Sequence, residues 1–181
     1  MFEYENVYQI RDAVHEPDKI LICGSDDFYN PALFNAVLDN YLVRYVRQSF
    51  SLLSSVSPEF ARAEASKHVT LCHIGGMEGV SQMVRDFAYR QNYRSWRIGS
   101  AARSFDNKEL QEMHYEISRD VKQILLICHP RKKCDSWIKD LCKDFVTDTF
   151  YITSDNKLKM IASRCKSGTV DIHDPSFDGI L

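Results

Sequence analysis

The sequence predicts an α/β fold built on a mainly parallel central sheet, and three observations carry that prediction. The apolar runs Ile20-Leu21-Ile22-Cys23, Val69-Thr70-Leu71-Cys72 and Ile124-Leu125-Leu126-Ile127-Cys128 are unbroken, as in strands buried on both faces. Stretches with apolar residues at helical spacing separate them, so strands and helices alternate along the chain. Each strand-like run also ends in Gly, Ser or His, at Gly24-Ser25-Asp26, Ile74-Gly75-Gly76, Gly99-Ser100 and His129-Pro130. Such a pattern specifies a Rossmann-like three-layer sandwich with one loop-rich edge, where open parallel sheets hold their ligands. One domain is expected over residues 1–181, with a core at about 18–153, an N-terminal extension at 1–17 and a C-terminal tail at about 154–181.

Residues 1–17 mix aromatic and charged positions up to Pro17, compatible with a short helix or a strand packed outside the main sheet. After the first strand, Asp26-Asp27-Phe28-Tyr29-Asn30 is turn material. Asn30 before Pro31 reads as an N-cap followed by proline in the first turn. Leu33, Val37, Tyr41 and Tyr45 then line a helix running to about Gln48. A serine-rich connection leads to a short alanine-rich helix after Pro58, then to the second strand at residues 69–74. The next helix covers about Gly79 to Gln91, with Val80, Met83, Val84, Phe87 and Ala88 on its apolar stripe. Ser95-Trp96-Arg97-Ile98-Gly99 is a weaker third strand. Asp106, with Glu109 three residues on, forms a capping box ahead of Leu110, Met113 and Ile117. Residues 121–128 form a strand stopped by Pro130, a helix carries Trp137, Ile138, Leu141 and Phe145, and a last strand falls at residues 149–152. Beyond Ser154 there is little periodicity; the tail can wrap the domain or reach a partner, with a homo-oligomer left open.

Composition narrows the class. With 181 residues the chain can bury roughly 70% of its unfolded surface without staples. A net charge of −2 supplies no global field for nucleic acid, so any anion site must be local. Among the six cysteines there is no Cys-x-x-Cys pair; Cys23, Cys72 and Cys128 sit in apolar runs and read as buried reduced thiols, while Cys134 and Cys142 suit a helix face better than a zinc site. No metal and no cofactor are expected. No apolar stretch approaches the length of a membrane span and Met1-Phe2-Glu3-Tyr4-Glu5 lacks a basic-then-apolar signal region, so a cytoplasmic protein without membrane contact is expected.

The most informative segment is His73-Ile74-Gly75-Gly76-Met77-Glu78-Gly79-Val80-Ser81, where a buried strand turns into a helix. Glycines there can take positive φ and let a ligand approach the backbone, and the N–H groups of the first helical turn face an anion. A ligand-free tight turn would use the same residues. Arg103 offers a phosphate-matching fork or a salt bridge to Asp106 or Glu109. His73 and His129, both at strand ends, suit hydrogen bonding or proton transfer at the crevice, or plain structural roles. Ser25, Asp26 and Ser100 suit a ribose or a base edge, and Arg131, Lys132 and Lys133 could reach an anion from the fourth strand's end. Glu78, the one carboxylate of the glycine turn, is the catalytic candidate, as a base or ribose ligand; it could equally stabilise the helix N-terminus. No Gly-x-Ser-x-Gly elbow or His-x-x-x-His spacing occurs.

Three blocks together resemble the LOG-like nucleotide-binding (SLOG) superfamily over about residues 18–145. Ile20-Leu21-Ile22-Cys23-Gly24-Ser25-Asp26-Asp27-Phe28 is similar to its strand followed by Gly-Ser-Arg-Asp-Phe. The segment from His73 to Ser81 is similar to its His-Gly-Gly-x-x-Gly-x-Asp turn, and residues 101–110, with Arg103 and Asn107, resemble its Arg-Asn-x-x-Met helix start. The resemblance implies a nucleotide-derived small molecule held by Gly24, Ser25, Asp26, His73, Gly75, Gly76, Glu78, Gly79, Arg103, Asn107, His129 and Arg131. The chain departs from the pattern at Asp26 and Glu78, where the family carries arginine. After the fourth strand, the family's Pro-Gly-Gly-x-Gly-Thr-x-x-Glu is replaced by His129-Pro130-Arg131-Lys132-Lys133-Cys134-Asp135-Ser136-Trp137. The residues that serve the family's phosphoribohydrolase activity are therefore missing. A non-catalytic nucleotide-binding domain is the first expectation. An N-glycoside hydrolase using Glu78 and a degenerate protein-interaction module are the alternatives.

Overall fold

The computed structural model describes residues 16–76, 78–101, 104–132, 136–165 and 168–170. It is α/β, with seven strands in one sheet: β1 (Asp18–Gly24), β2 (Val69–Ile74), β3 (Arg94–Ile98), β4 (Val121–Cys128), β5 (Thr147–Ile152), β6 (Leu158–Cys165) and β7 (Gly168–Val170). Their order is β3-β2-β1-β4-β5-β6-β7. The first five in that order are parallel, and β6 and β7 add antiparallel pairs at one side. The three unbroken apolar runs thus form the adjacent parallel strands β2, β1 and β4.

Helices α1 (Pro31–Ser49), α2 (Pro58–His68), α3 (Gly79–Arg90), α4 (Asn107–Asp120) and α5 (Ser136–Cys142) cover both faces. Strand alternation sends Ile20 and Ile22 into one cluster with Phe34, Leu42, Ala61 and Val84, from α1, α2 and α3. Leu21 and Cys23 enter the other, with Met113 and Ile117 of α4 and Ile138 and Leu141 of α5. All four β1 residues from Ile20 to Cys23 are fully buried, which is why the run contains no polar residue.

Local sequence explains the helix starts. Asn30 accepts from Leu33 N at 3.3 Å with Pro31 in the first turn, and Ser57 accepts from Phe60 N at 3.2 Å ahead of Pro58. Tyr41 and Tyr45 pin α1 to the sheet by donating to Asp148 at 2.7 Å and Asp18 at 2.9 Å. The weak third strand is the edge strand β3, exposed except at Ile98. Arg94 and Arg97 charge this edge, a device that discourages strand addition by other chains.

Two expectations are corrected. The helix expected to carry Phe145 ends at Cys142, and a turn donating Phe145 N to Cys142 O at 3.1 Å follows it. The core, expected to close at about residue 153, reaches Met160, because the tail begins with β6. A hairpin makes this possible: Asn156 has φ +59°, and Thr153 N donates to Lys157 O at 2.8 Å. Leu158 and Met160, two residues apart, are both buried against the α1 side. The extension at residues 1–15 and the tail from residue 171 onward lie outside the described residues. Four described cysteines, Cys23, Cys72, Cys128 and Cys142, are free and buried. No helix among the described residues is long and apolar enough to cross a membrane.

Candidate functional site

The chain leaves β1 toward β2 on one side and returns to β4 on the other, so the loops after β1 and β4 diverge over the middle of the sheet. In open parallel sheets that divergence opens a crevice at the strands' carboxyl ends. A crevice enclosing about 450 Å³, its open mouth included, lies at that edge. Gly24, Ile74, Gly75 and Gly76 contribute strand ends and turn, Asp26 and Glu78 contribute carboxylates and Ser81 a hydroxyl. The remaining wall is Phe105, Trp137 and Ile138. It is apolar and partly flat: the Phe105 and Trp137 rings are 5.6 Å apart and tilted by 48°.

The glycines have structural reasons to be there. At Gly24 a Cβ would fall 1.8 Å from Ile127 O, and at Gly75 1.5 Å from Ser100 O. At Gly79 φ is +59° and a Cβ would lie 2.3 Å from Ser25 O. Strand-to-strand and helix-to-loop backbone approach, not room for a ligand, explains these three. Val80 N, in the first turn of α3, donates to Ser25 O at 3.1 Å and so is already occupied. Gly76 faces the crevice with φ +103°, a conformation that L side chains rarely adopt. A β-branched residue in its place would be strained by that backbone conformation whatever the space around it.

Beside the crevice, Asp27 links the two diverging loops. Ser25 Oγ donates to Asp27 Oδ1 at 2.6 Å, His129 Nε2 lies 2.8 Å from the same oxygen, and Lys132 Nζ pairs with Oδ2. Lys132 first, then Ser25 and His129, holds the Asp27 carboxyl well below the usual carboxylate range. Lys139 of α5 fixes the β4 loop from the other side, donating to His129 O at 2.7 Å and Pro130 O at 3.3 Å.

The expected residues divide accordingly. Gly24, Asp26, Gly75, Gly76 and Glu78 line the crevice, Ser25 is buried beneath it and Gly79 packs behind it. His73 is not at the crevice. It shares the strand parity of Val69 and Leu71, which point to the α1–α3 side, and is 4% exposed with Nδ1 3.3 Å from Ile74 O. Burial pushes its pKa down, so it stays neutral in neutral solution. His129 serves the Asp27 link, while Asn107 at the start of α4 and Arg131 on the β4 loop are exposed and do not line the crevice. Ser100, also suggested as a ribose contact, instead donates to Glu109 Oε1 at 3.0 Å. Arg103 and Lys133 lie outside the described residues.

Sequence reasoning missed Asp27 and the aromatic wall. A signal for Phe105 existed: it precedes the Asp106 cap, and Leu110 is at the fourth helical position, the spacing of a hydrophobic staple. Both line a neighbouring hollow with Trp137. Among the described residues no group of three or more His, Cys, Asp or Glu could hold a metal ion. No family model matches the chain, and neither does any curated protein.

Proposed function

We propose that the protein is a divergent LOG-like domain that binds a nucleotide-derived small molecule at the carboxyl edge of its sheet, as a binding module rather than a catalyst. The observation that carries this reading is the crevice with an aromatic wall on one side and strand-end backbone and carboxylates on the other. A base can stack near Phe105 and Trp137, and Asp26 or Glu78 can accept hydrogen bonds from ribose hydroxyls. Those carboxylates oppose a phosphate at short range. The first turn of α3 has already committed Val80 N to Ser25. The base and ribose therefore dominate recognition, with the phosphate secondary.

Calorimetry with free bases, nucleosides and nucleoside monophosphates tests the reading. The expected result is a nucleoside that binds at least as tightly as its 5′-phosphate, weakened about tenfold or more by Trp137→Ala, in line with the loss of one stacking contact of roughly 1–3 kcal/mol. Absence of heat across the panel would overturn it. Glu78 at the crevice is the observation favouring the N-glycoside hydrolase reading. Release of free base from a nucleoside monophosphate, abolished by Glu78→Gln, would replace the binding reading with that one.

A further inference from the structure

Strand β3 is first in the sheet order and, among the described residues, pairs with β2 alone. Ile98 O accepts from Gly75 N at 3.0 Å, so Ile98 turns its main chain toward β2. Main-chain groups alternate sides along a strand: Arg94 and Trp96 face β2 as Ile98 does, and Ser95 and Arg97 turn their N–H and C=O outward. Such a row is a template for one more strand.

The side chains on β3 state what that strand must carry. Trp96 is level with Cys72 on the α4 face, and Arg97 is level with His73 on the α3 face. Arg94 and Arg97 are exposed, and among the described residues neither is in an ion pair. Trp96 is held in place, with Nε1 donating to Glu116 Oε1 at 2.9 Å and Lys19 Nζ 4.9 Å from its ring, yet half of it is exposed. The charges that turn other strands away therefore match an acidic one, with aromatic residues toward Trp96 and Glu116 and carboxylates toward Arg97.

The first residues of the chain, outside the described ones, have that composition. Phe2, Tyr4, Tyr8 and Ile10 fall at even positions and Glu3 and Glu5 at odd ones, so an extended chain puts them on opposite faces. Aromatic and β-branched residues also favour strands. This segment joins the described structure at Glu16, just ahead of β1. Asp18 pairs with Val69, and Thr70 with Arg94, so β3 begins nearly level with β1. A strand outside β3 lies three spacings from β1, roughly 14 Å, and the extended stretch from Ile10 to Asp18 reaches up to roughly 26 Å. The C-terminal tail is acidic too, with Asp171, Asp174 and Asp178, but it follows β7 at the opposite side of the sheet, roughly 29 Å from β3.

We propose that residues 2–10 add to β3 as an antiparallel strand, with Tyr4 and Tyr8 on the Trp96 face and Glu3 and Glu5 on the Arg97 face. The direction follows from the path: the segment meets the sheet at the amino edge, so the residues before Ile10 run back toward the carboxyl edge. The inference does not depend on the ligand of the crevice.

The test is amide hydrogen exchange, read residue by residue by nuclear magnetic resonance, on the full chain as wild type, Glu5→Lys, Arg97→Glu and both together. In wild type the outward amides of Ser95 and Arg97 should be protected. Each single variant should lower that protection about fivefold or more, as for an opposite-charge cross-strand pair turned into a like-charge one, and the combination should recover it. The amides of Trp96 and Ile98, bonded to β2, report that the fold is intact and should not change. Unprotected Ser95 and Arg97 amides in wild type, protection unchanged in both single variants, or no recovery in the combination would overturn the proposal. Protection that falls on dilution, alongside a dimer in sedimentation equilibrium, would assign the edge to a second copy and overturn it as well.

Discussion

Asp27 Oδ1 lies 2.8 Å from His129 Nε2, so the loop after β1 and the end of β4 are bonded across the point where the chain diverges. An ionised carboxylate only accepts, so this nitrogen carries the proton. Lys132 and Ser25 converge on the same carboxylate. A sequence-distant ion cluster therefore sets the spacing of the crevice's central loops.

That cluster predicts a pH dependence. The folded Asp27 carboxyl titrates below its unfolded value, so its contribution is fully present above about pH 4 and fades as pH falls through the folded value. Its side chain is about half exposed, and solvent screening limits the contribution to about 1 kcal/mol or less. Urea denaturation of wild type and Asp27→Asn should show a difference of that order at neutral pH that shrinks below pH 4. A difference that grows with acidification would contradict the assignment.

The backbone contacts of Gly75 and Gly79 predict that alanine at either position is severely destabilising. A Cβ meets the Ser100 carbonyl in one case and the Ser25 carbonyl in the other, and backbone cannot step aside as a flexible side chain can. At Gly79 the left-handed conformation adds about 1–2 kcal/mol to the overpacking. Thermal and urea unfolding should register a loss of about 2 kcal/mol or more for each. Wild-type stability in Gly75→Ala would refute the close β2–β3 approach.

Glu109 serves two partners, accepting from Asp106 N through Oε2 and from Ser100 Oγ through Oε1, each at 3.0 Å. Asp106 in turn accepts from Glu109 N at 2.8 Å. Asp106→Ala should cost about 1 kcal/mol, as for loss of an N-cap. Hydrogen exchange should show the loss concentrated in the first turn of α4, and uniform exchange across the sheet would argue for a different role.

The four buried thiols should resist modification while the protein is folded. Burial pushes Cys72 up to about 12, and the adjacent Cys142 thiol together with burial raises Cys23 well above its ordinary value. The thiolate fraction of Cys23 and Cys72 at mild alkaline pH is correspondingly small. Pulse labelling followed by peptide mass spectrometry should find Cys23, Cys72, Cys128 and Cys142 modified only at the rate of unfolding. Prompt labelling of any of them in folded protein would contradict its burial.

The apolar runs and the capping residues Asn30, Ser57 and Asp106 were legible because their causes are local. Two-sided burial excludes polar residues from β1, and a helix needs acceptors for its first amides wherever it is packed. The hairpin into β6 was less legible, since it turns on positive φ at a non-glycine residue, Asn156, and the alternation of Leu158 and Met160 beyond it spans too short a stretch to mark a strand.

By itself, then, the sequence determined the α/β class, the three central parallel strands and the glycine turn between β2 and α3, all through short-range periodicity and steric preference. Only the tertiary structure decided what those glycines touch, that His73 faces the α1–α3 core, that Phe105 meets Trp137 and that Asp27 ties the β1 loop to His129. These depend on register and on which face each residue presents, and contacts between residues about 30 or 100 positions apart leave no local periodic trace.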